Sequence, residues 1–258
     1  MGAIRRFTFG KMKGRPEVIA FLTASGITDA TTVQAITYLV DNLITSGLWD
    51  KYYAIYPFVG VNAFEHSWDL KRPNNGDRLQ FIIDSTTVFN NLGFLTGTRP
   101  ISEPNGYART NIRPSLHQTL NSQNMVVAVG LLNKQFTCGV NDDNFNRSQL
   151  FIYPGEGGSI INTQIDLPTN EPTNGVISGN KLATGQSLYR NGVLRGTSAN
   201  GGGLASIFNI QIGATNDYLY SNQRFQFFAI GQGLTDTEAL TEFNIISEFN
   251  NILGRKTW

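Results

Sequence analysis

The chain has 258 residues, 40% of them hydrophobic and only 15% charged, with a formal net charge of +1. That length suits one large domain or two small ones, and the apolar content argues against disorder. Near-neutrality removes any global drive toward nucleic acid or an anionic membrane. The missing charge is replaced by 27 Gly, 26 Asn and 24 Thr. Asn and Gly accept left-handed turn conformations and Thr suits a pleated, half-exposed surface, so the composition implies many strands joined by many turns.

In chain order, residues 1–15 carry Arg5, Arg6, Lys11, Lys13 and Arg15 and no acid. They read either as a solvated tail or as a basic arm that docks on an acidic partner surface. This start lacks an apolar signal-peptide core, and no run approaches the roughly 18 apolar residues of a membrane span. The expectation is a chain made and assembled in a cytoplasm, without membrane insertion.

Arg15-Pro16 through Gly26 has Pro where a first helical turn tolerates it and Gly where a helix stops. Thr28 or Asp29 can cap a second helix running to about Ser46. There Val33, Ile36, Leu39, Val40, Leu43 and Ile44 form one apolar stripe, and Gly47 ends it. Such a stripe is expected to pack on the chain's own sheet.

From Trp49 the period changes to that of strands. Lys51–Gly60 is aromatic and β-branched, with Pro57 marking an edge or a bend. Further strands are expected at 79–83, 86–89, 124–132, 135–140, 149–153, 159–165, 186–189, 193–195, 204–212 and 224–230. Asn191-Gly192 is the preferred pair for a tight type I′ hairpin. The segment 166–181, rich in Pro, Asn and Thr, reads as a loop. Gly155-Glu-Gly-Gly158 and Gly201-Gly-Gly203 read as turns between strands. A third helix opens with a capping box, Thr235 and Glu238, and presents Leu240, Phe243, Ile246, Phe249 and Leu253 before Gly254 stops it.

Phe227-Phe-Ala-Ile-Gly-Gln-Gly-Leu-Thr-Asp-Thr-Glu-Ala-Leu240 resembles the closing strand and short helix of laminin-G/concanavalin-like modules, and the Asn191-Gly192 hairpin is similar to one in the same modules. Phe243–Arg255, Ala20–Asp29, Trp49–Gly60 and Asn105–Thr110 resemble segments of tailed-phage virion structural proteins. The resemblance spans about residue 16 to 255. It implies a mainly β protein: a concanavalin-like antiparallel β-sandwich (jelly roll) with two N-terminal helices and one C-terminal helix. The expected organisation is a basic arm over 1–15, a helical segment over 16–48 and the sandwich with its closing helix over 49–258, its strands filling about 49 to 232.

Candidate chemistry is sparse. There is no Gly-x-Ser-x-Gly elbow, and His66 and His117 lack a triad context, reading as surface or hydrogen-bonding residues. Two His and one Cys cannot supply a typical zinc tetrad, and Cys138 reads as a small buried residue. Asp142 and Asp143 are weak calcium candidates, with a polar turn as the simpler reading. The Glu-x-Asp-x-x-Glu strand of concanavalin-like glycosidases is absent; Glu65 and Asp69 are the nearest spacing. Tyr107, Tyr153, Tyr189, Tyr218 and Tyr220 lie near turns, where tyrosines can stack on sugars. No cofactor and no enzymatic activity is expected. The resemblance implies a structural virion component of a tail, fibre or other appendage, binding other virion proteins and copies of itself, a trimer among the options. Capsid decoration, a host-surface glycan- or receptor-binding module, and a polysaccharide-degrading enzyme are the alternatives.

Overall fold

The apolar stripes close two separate cores. A computed structural model describes residues 14–73, 77–97, 105–119, 122–130, 136–141, 147–153, 156–161, 164–166, 174–199, 206–215 and 219–258. Among these, an eight-stranded and a seven-stranded antiparallel sheet face each other. Ala54, Tyr56, Phe94, Met125, Val127, Val129, Ile177, Phe225 and Phe228 from the first sheet meet Ala108, Cys138, Leu150 and Ile212 from the second. A helical layer covers the other side of the first sheet, where Ile36, Leu39, Leu43, Ile246 and Phe249 pack on Ile55, Val126, Ala128, Val176, Phe227 and Ala229. The expected jelly roll is therefore present, with its first sheet buried on both faces.

Strand order in the first sheet is Val193–Ser198, Gly185–Arg190, Gly175–Leu182, Gln123–Val129, Arg224–Gly231, Gly93–Leu95, Val88–Asn90, and Tyr52–Tyr56 also pairs with Arg224–Gly231. In the second it is Gln164–Asp166, Glu156–Ile161, Arg147–Tyr153, Phe136–Asn141, Gln211–Ile212, Tyr107–Arg109, Gln80–Ile82. Asn191 and Gly192 both adopt positive φ (48° and 74°), as the expected hairpin turn requires.

The helices form where their caps lie. The Asp29 side chain accepts from Thr32 N–H at 2.8 Å and starts Ala30–Thr45. Gly26 is left-handed at the end of Pro16–Ser25. The Thr235/Glu238 capping box opens Asp236–Ile252. That last helix is rotated from its expected face: Leu240 is exposed, and Ala239 and Glu242 are buried instead. Two single-turn helices, Ala63–His66 and Pro114–His117, were not expected.

Several strands differ from the expectation. Gly175–Leu182, expected as loop, lies near the middle of the first sheet, between Gln123–Val129 and Gly185–Arg190. Its polar Ser178 and Asn180 hide the strand pattern, because they meet polar partners across the helix interface. Residues 159–165 form two strands, and Glu156–Gly158 pair with Phe151–Tyr153 instead of turning. Of 204–212 the described residues begin at Ser206, and among them only Gln211–Ile212 is strand; Ile207 and Phe208 are exposed in bends.

One side chain locks the layers together. The Arg255 guanidinium is fully buried just past the C-terminal helix. Its Nε donates to Asn250 Oδ1 at 2.7 Å, Nη1 to Phe58 O at 2.7 Å, and Nη2 to Pro57 O at 2.8 Å and to Gln226 O. Gln226 sits at a break in register of its strand, which frees its carbonyl from the ladder, and its side chain donates back to Arg255 O at 2.7 Å. Phe58 is held at φ 43°, a costly conformation for a bulky residue. Replacing Arg255 by Met should strand these carbonyls and lower stability by at least ~3 kcal/mol, read from the urea unfolding midpoint. An unchanged midpoint would refute the role given to this residue.

Candidate functional site

The second sheet has a face turned away from the sandwich core, and side-chain alternation decides what it carries. Phe81, Ala108, Ile212, Cys138 and Leu150 point inward. Their strand neighbours Gln80, Arg109, Gln211, Gly139 and Gln149 fall in one register row across five strands on the outer face. With strands about 4.8 Å apart the row is about 19 Å long. Gly139 leaves a gap in it; a Cβ there would meet Ser148 O at 2.1 Å. Gln211 and Gln149 are nearly covered, whereas Gln80 is exposed and Arg109 half-buried. The accessible part is thus the end nearest the sheet edge.

Tyr107 and Tyr220 meet at this end, with ring centroids 6.0 Å apart. Arg109 Nη2 donates to Tyr107 Oη at 2.8 Å and its guanidinium lies 5.4 Å from that ring. Tyr107 is only 5% exposed, so it supports Arg109 and Tyr220 from behind and offers no face of its own. Tyr220 is half-buried and presents part of its ring. Gln80, Arg109 and Tyr220 therefore form a shallow polar and aromatic surface suited to hydrogen bonding and ring stacking.

Other sequence candidates lie elsewhere. Tyr189 is buried, and its hydroxyl donates to Asp236 Oδ1 at 2.5 Å, tying the hairpin to the start of the C-terminal helix; it cannot stack on a sugar. Tyr153 ends a strand, and its side chain lies outside the described ones. Tyr218, Asp142, Asp143, Arg5, Arg6, Lys11 and Lys13 lie outside the described residues. Arg15 pairs with Asp41 of its own chain. Arg109 was not singled out from sequence; its signal was its place two residues after Tyr107 in a strand.

A groove of about 580 Å³ opens between the helical layer and the sandwich, lined by Asp29, Val59, Glu65, Asn91 and Leu253 among others. Its two carboxylates serve as local caps: Asp29 takes Thr32 N–H, and Glu65 Oε2 takes Val61 N–H at 2.6 Å. Among the described residues no group of three or more His, Cys, Asp or Glu is gathered as a metal site needs.

The strongly shifted ionisable groups lie in the packing layers. His66 is 1% exposed; burial depresses its imidazole to about 4, while Nε2 contacts Gly60 O at 3.2 Å. His117 is half-buried and its Nδ1 sits 3.0 Å from Arg113 O. Burial also raises the Cys138 thiol far above its usual range. Glu242 faces a polar patch of the first sheet, where Tyr52 Oη donates to its Oε1 at 2.5 Å. Around it Asn124 Nδ2 donates to Ser178 Oγ at 3.1 Å and Asn180 Oδ1 at 2.9 Å. Burial pushes this carboxyl up to about 7, despite the Tyr52 hydrogen bond.

The comparisons with known proteins give the same frame. No family model matches the sequence, and no curated protein matches it. Among solved structures, domain 4 of an extracellular arabinanase from Geobacillus stearothermophilus, in complex with arabinotriose, matches with a TM-score of 0.50 at 14% identity, over 74% of this chain and 97% of that one. A Trypanosoma rangeli sialidase in complex with a difluorinated keto-deoxy-nononic acid matches with a TM-score of 0.50 at 12% identity, over 82% of this chain and 39% of that one. The likeness is one of fold, an antiparallel jelly-roll sandwich.

Two of the buried ionisable groups, Glu242 and His66, act in opposite pH directions. Glu242 has a folded pKa of about 7 against 4.5 for the free group, so its folded state keeps a proton that the unfolded state has released. Its favourable share is complete below pH ~4.5 and is lost as pH rises through 7, roughly 3 kcal/mol in all. His66, folded near 4 against 6.5, favours folding above 6.5 and loses that share as pH falls toward 4. Thermal melts from pH 4 to 8 should show Glu242→Gln removing the alkaline decline and His66→Gln removing the acid one. Unaltered profiles in both variants would refute the assignment.

Proposed function

We propose that this chain is a non-catalytic carbohydrate-recognition module that binds glycan on the free face of its seven-stranded sheet. The observation that carries the reading is the cluster of Tyr220, Arg109 and exposed Gln80, backed by the Tyr107 hydroxyl, at the open end of a polar row. Sugars present hydroxyls in planar arrays and apolar C–H faces, which amide, guanidinium and aromatic groups complement. The arabinotriose bound to the arabinanase domain and the sugar acid bound to the sialidase support the same ligand class. The reading is non-catalytic because Glu242 and Asp69, the carboxyls raised by burial, serve the helix–sheet interface and the Ile55 backbone.

The wider setting we propose is an adhesion part of a phage virion, carried on a tail, fibre or other appendage as a homo-oligomer such as a trimer. It rests on the resemblance of the segments quoted above. Sedimentation equilibrium at micromolar concentration should show self-association; a strict monomer would argue against that arrangement and leave glycan binding standing.

A glycan array probed with the full chain is expected to give hits among bacterial-surface oligosaccharides. For a hit followed by calorimetry, Tyr220→Ala should weaken binding about tenfold, ~1.4 kcal/mol, with the unfolding midpoint preserved. An array without hits over neutral and acidic sugars would remove the reading.

A further inference from the structure

The segment leading into the strand that brings Gln80 to the outer face carries an arginine. Leu79 is buried in the sandwich core and Phe81 packs against it, while Arg78 and Gln80 are exposed. Arg78 stands two residues before Gln80, about 7 Å away along the chain. The Leu79 N–H donates to Ser67 O at 2.8 Å, which fixes Arg78 beside the turn that follows Ala63–His66.

That turn presents two aromatic rings. Phe64 and Trp68, four residues apart, meet edge to face at 5.6 Å and 86°. The Arg78 guanidinium carbon lies 5.2 Å from both ring centroids. The platform is braced: Asn62 Oδ1 accepts from Glu65 N–H at 3.0 Å, Glu65 returns to Val61 N–H, and Ser67 Oγ donates to Phe64 O at 2.7 Å. Trp68 is anchored against the helical core, and Phe64 remains 51% exposed.

Two acids of the same segment are engaged by another arginine. Asp69 and Asp77 both bind Arg72, at 3.1 Å each. Among the described residues no carboxylate or carbonyl lies within hydrogen-bonding distance of the Arg78 guanidinium, although the two rings hold it in place. A fixed, exposed, planar donor fork next to an exposed ring is suited to a carboxylate attached to a ring with an apolar face.

We propose that Arg78, Phe64 and Trp68 form an acidic-sugar subsite continuous with the glycan face, with Arg78 binding a ring carboxylate and Phe64 stacking on the sugar ring. This rests on the glycan-binding reading and names its substrate class as carboxylated sugars such as uronic acids. Neighbouring sugar units would extend along the edge strand past Gln80 toward Arg109 and Tyr220.

The test is calorimetric titration of the full chain with a galacturonate trisaccharide, its neutral galactose counterpart and galactose 6-sulfate. The wild type should bind the galacturonate at least tenfold more tightly than the neutral sugar, and the preference should shrink with added salt. Arg78→Gln should cut the preference below twofold without changing neutral-sugar affinity, Arg78→Lys should restore part of it, and Tyr220→Ala should weaken both sugars alike. A preference that survives in Arg78→Gln, or equal binding of the two trisaccharides by the wild type, overturns the subsite and leaves the glycan face intact. Tighter binding of the sulfated sugar overturns the carboxylate assignment. If no sugar of any kind binds, the glycan reading falls, and the subsite with it.

Discussion

The first sheet is buried on both faces, and this constraint governs the rest of the molecule. In Gln123–Val129 and Gly175–Leu182 nearly every residue is out of solvent, on the sandwich side and the helical side alike. A sheet in that position needs a cover, and the cover must satisfy whatever polar groups it encloses. The C-terminal helix does this from both ends. Near its start Glu242 meets Tyr52 within the Asn124, Ser178 and Asn180 patch, and just past its end Arg255 collects three backbone carbonyls. Between them Ile245, Ile246 and Phe249 supply the apolar contact. The buried charges fix where the helix sits, and the apolar side chains supply most of the attraction.

Covering one sheet frees the other. The outer face of the seven-stranded sheet receives no helix among the described residues, and only the Ala214–Thr215/Leu219–Tyr220 pair lies beside Phe136–Asn141. This pair sets Tyr220 against Tyr107. On the proposed reading, structural and recognition duties fall on different sheets. Residues with large pKa shifts, among them His66, Cys138, Glu242 and Arg255, belong to packed interiors, where burial is the largest cause in each case. A perturbed pKa here marks where the frame is closed, so it is a poor guide to where a ligand would bind.

Local signals in the sequence were reliable where one short segment satisfied its own backbone. Asp29 with Thr32, Thr235 with Glu238, and Asn191-Gly192 each complete a hydrogen-bonded or turn geometry within a few residues. They failed where the partner was distant. Ser178 and Asn180 looked like loop residues because Asn124, which satisfies them, lies more than fifty positions away. Leu240 looked buried, and the burial of Glu242 was not foreseen, because periodicity cannot reveal a polar patch on the opposing sheet. The candidate site follows the same rule. Tyrosines near turns were legible as a class, but only topology brings Tyr107 to Tyr220 and sends Tyr189 inward to Asp236. The Phe64–Trp68 spacing was visible in the sequence, while the arginine it faces comes from a separate segment.

With so few charged residues, the placement of each guanidinium carries weight. Arg15 and Arg72 bind carboxylates, Arg109 binds a tyrosine hydroxyl, Arg113 and Arg224 bind asparagine side chains, and Arg190 and Arg255 bind backbone carbonyls. Each is accounted for by an oxygen of its own chain. Arg78 instead has two aromatic rings as its described neighbours, which hold the guanidinium by the ring quadrupole and leave its N–H edge without an acceptor. Beside these seven, a guanidinium held between two rings and without an acceptor among the described residues is a donor fork suited to a group outside the chain. It stands two residues before Gln80, at the edge of the sheet whose outer face receives no helix among the described residues, where on the proposed reading a bound oligosaccharide would extend.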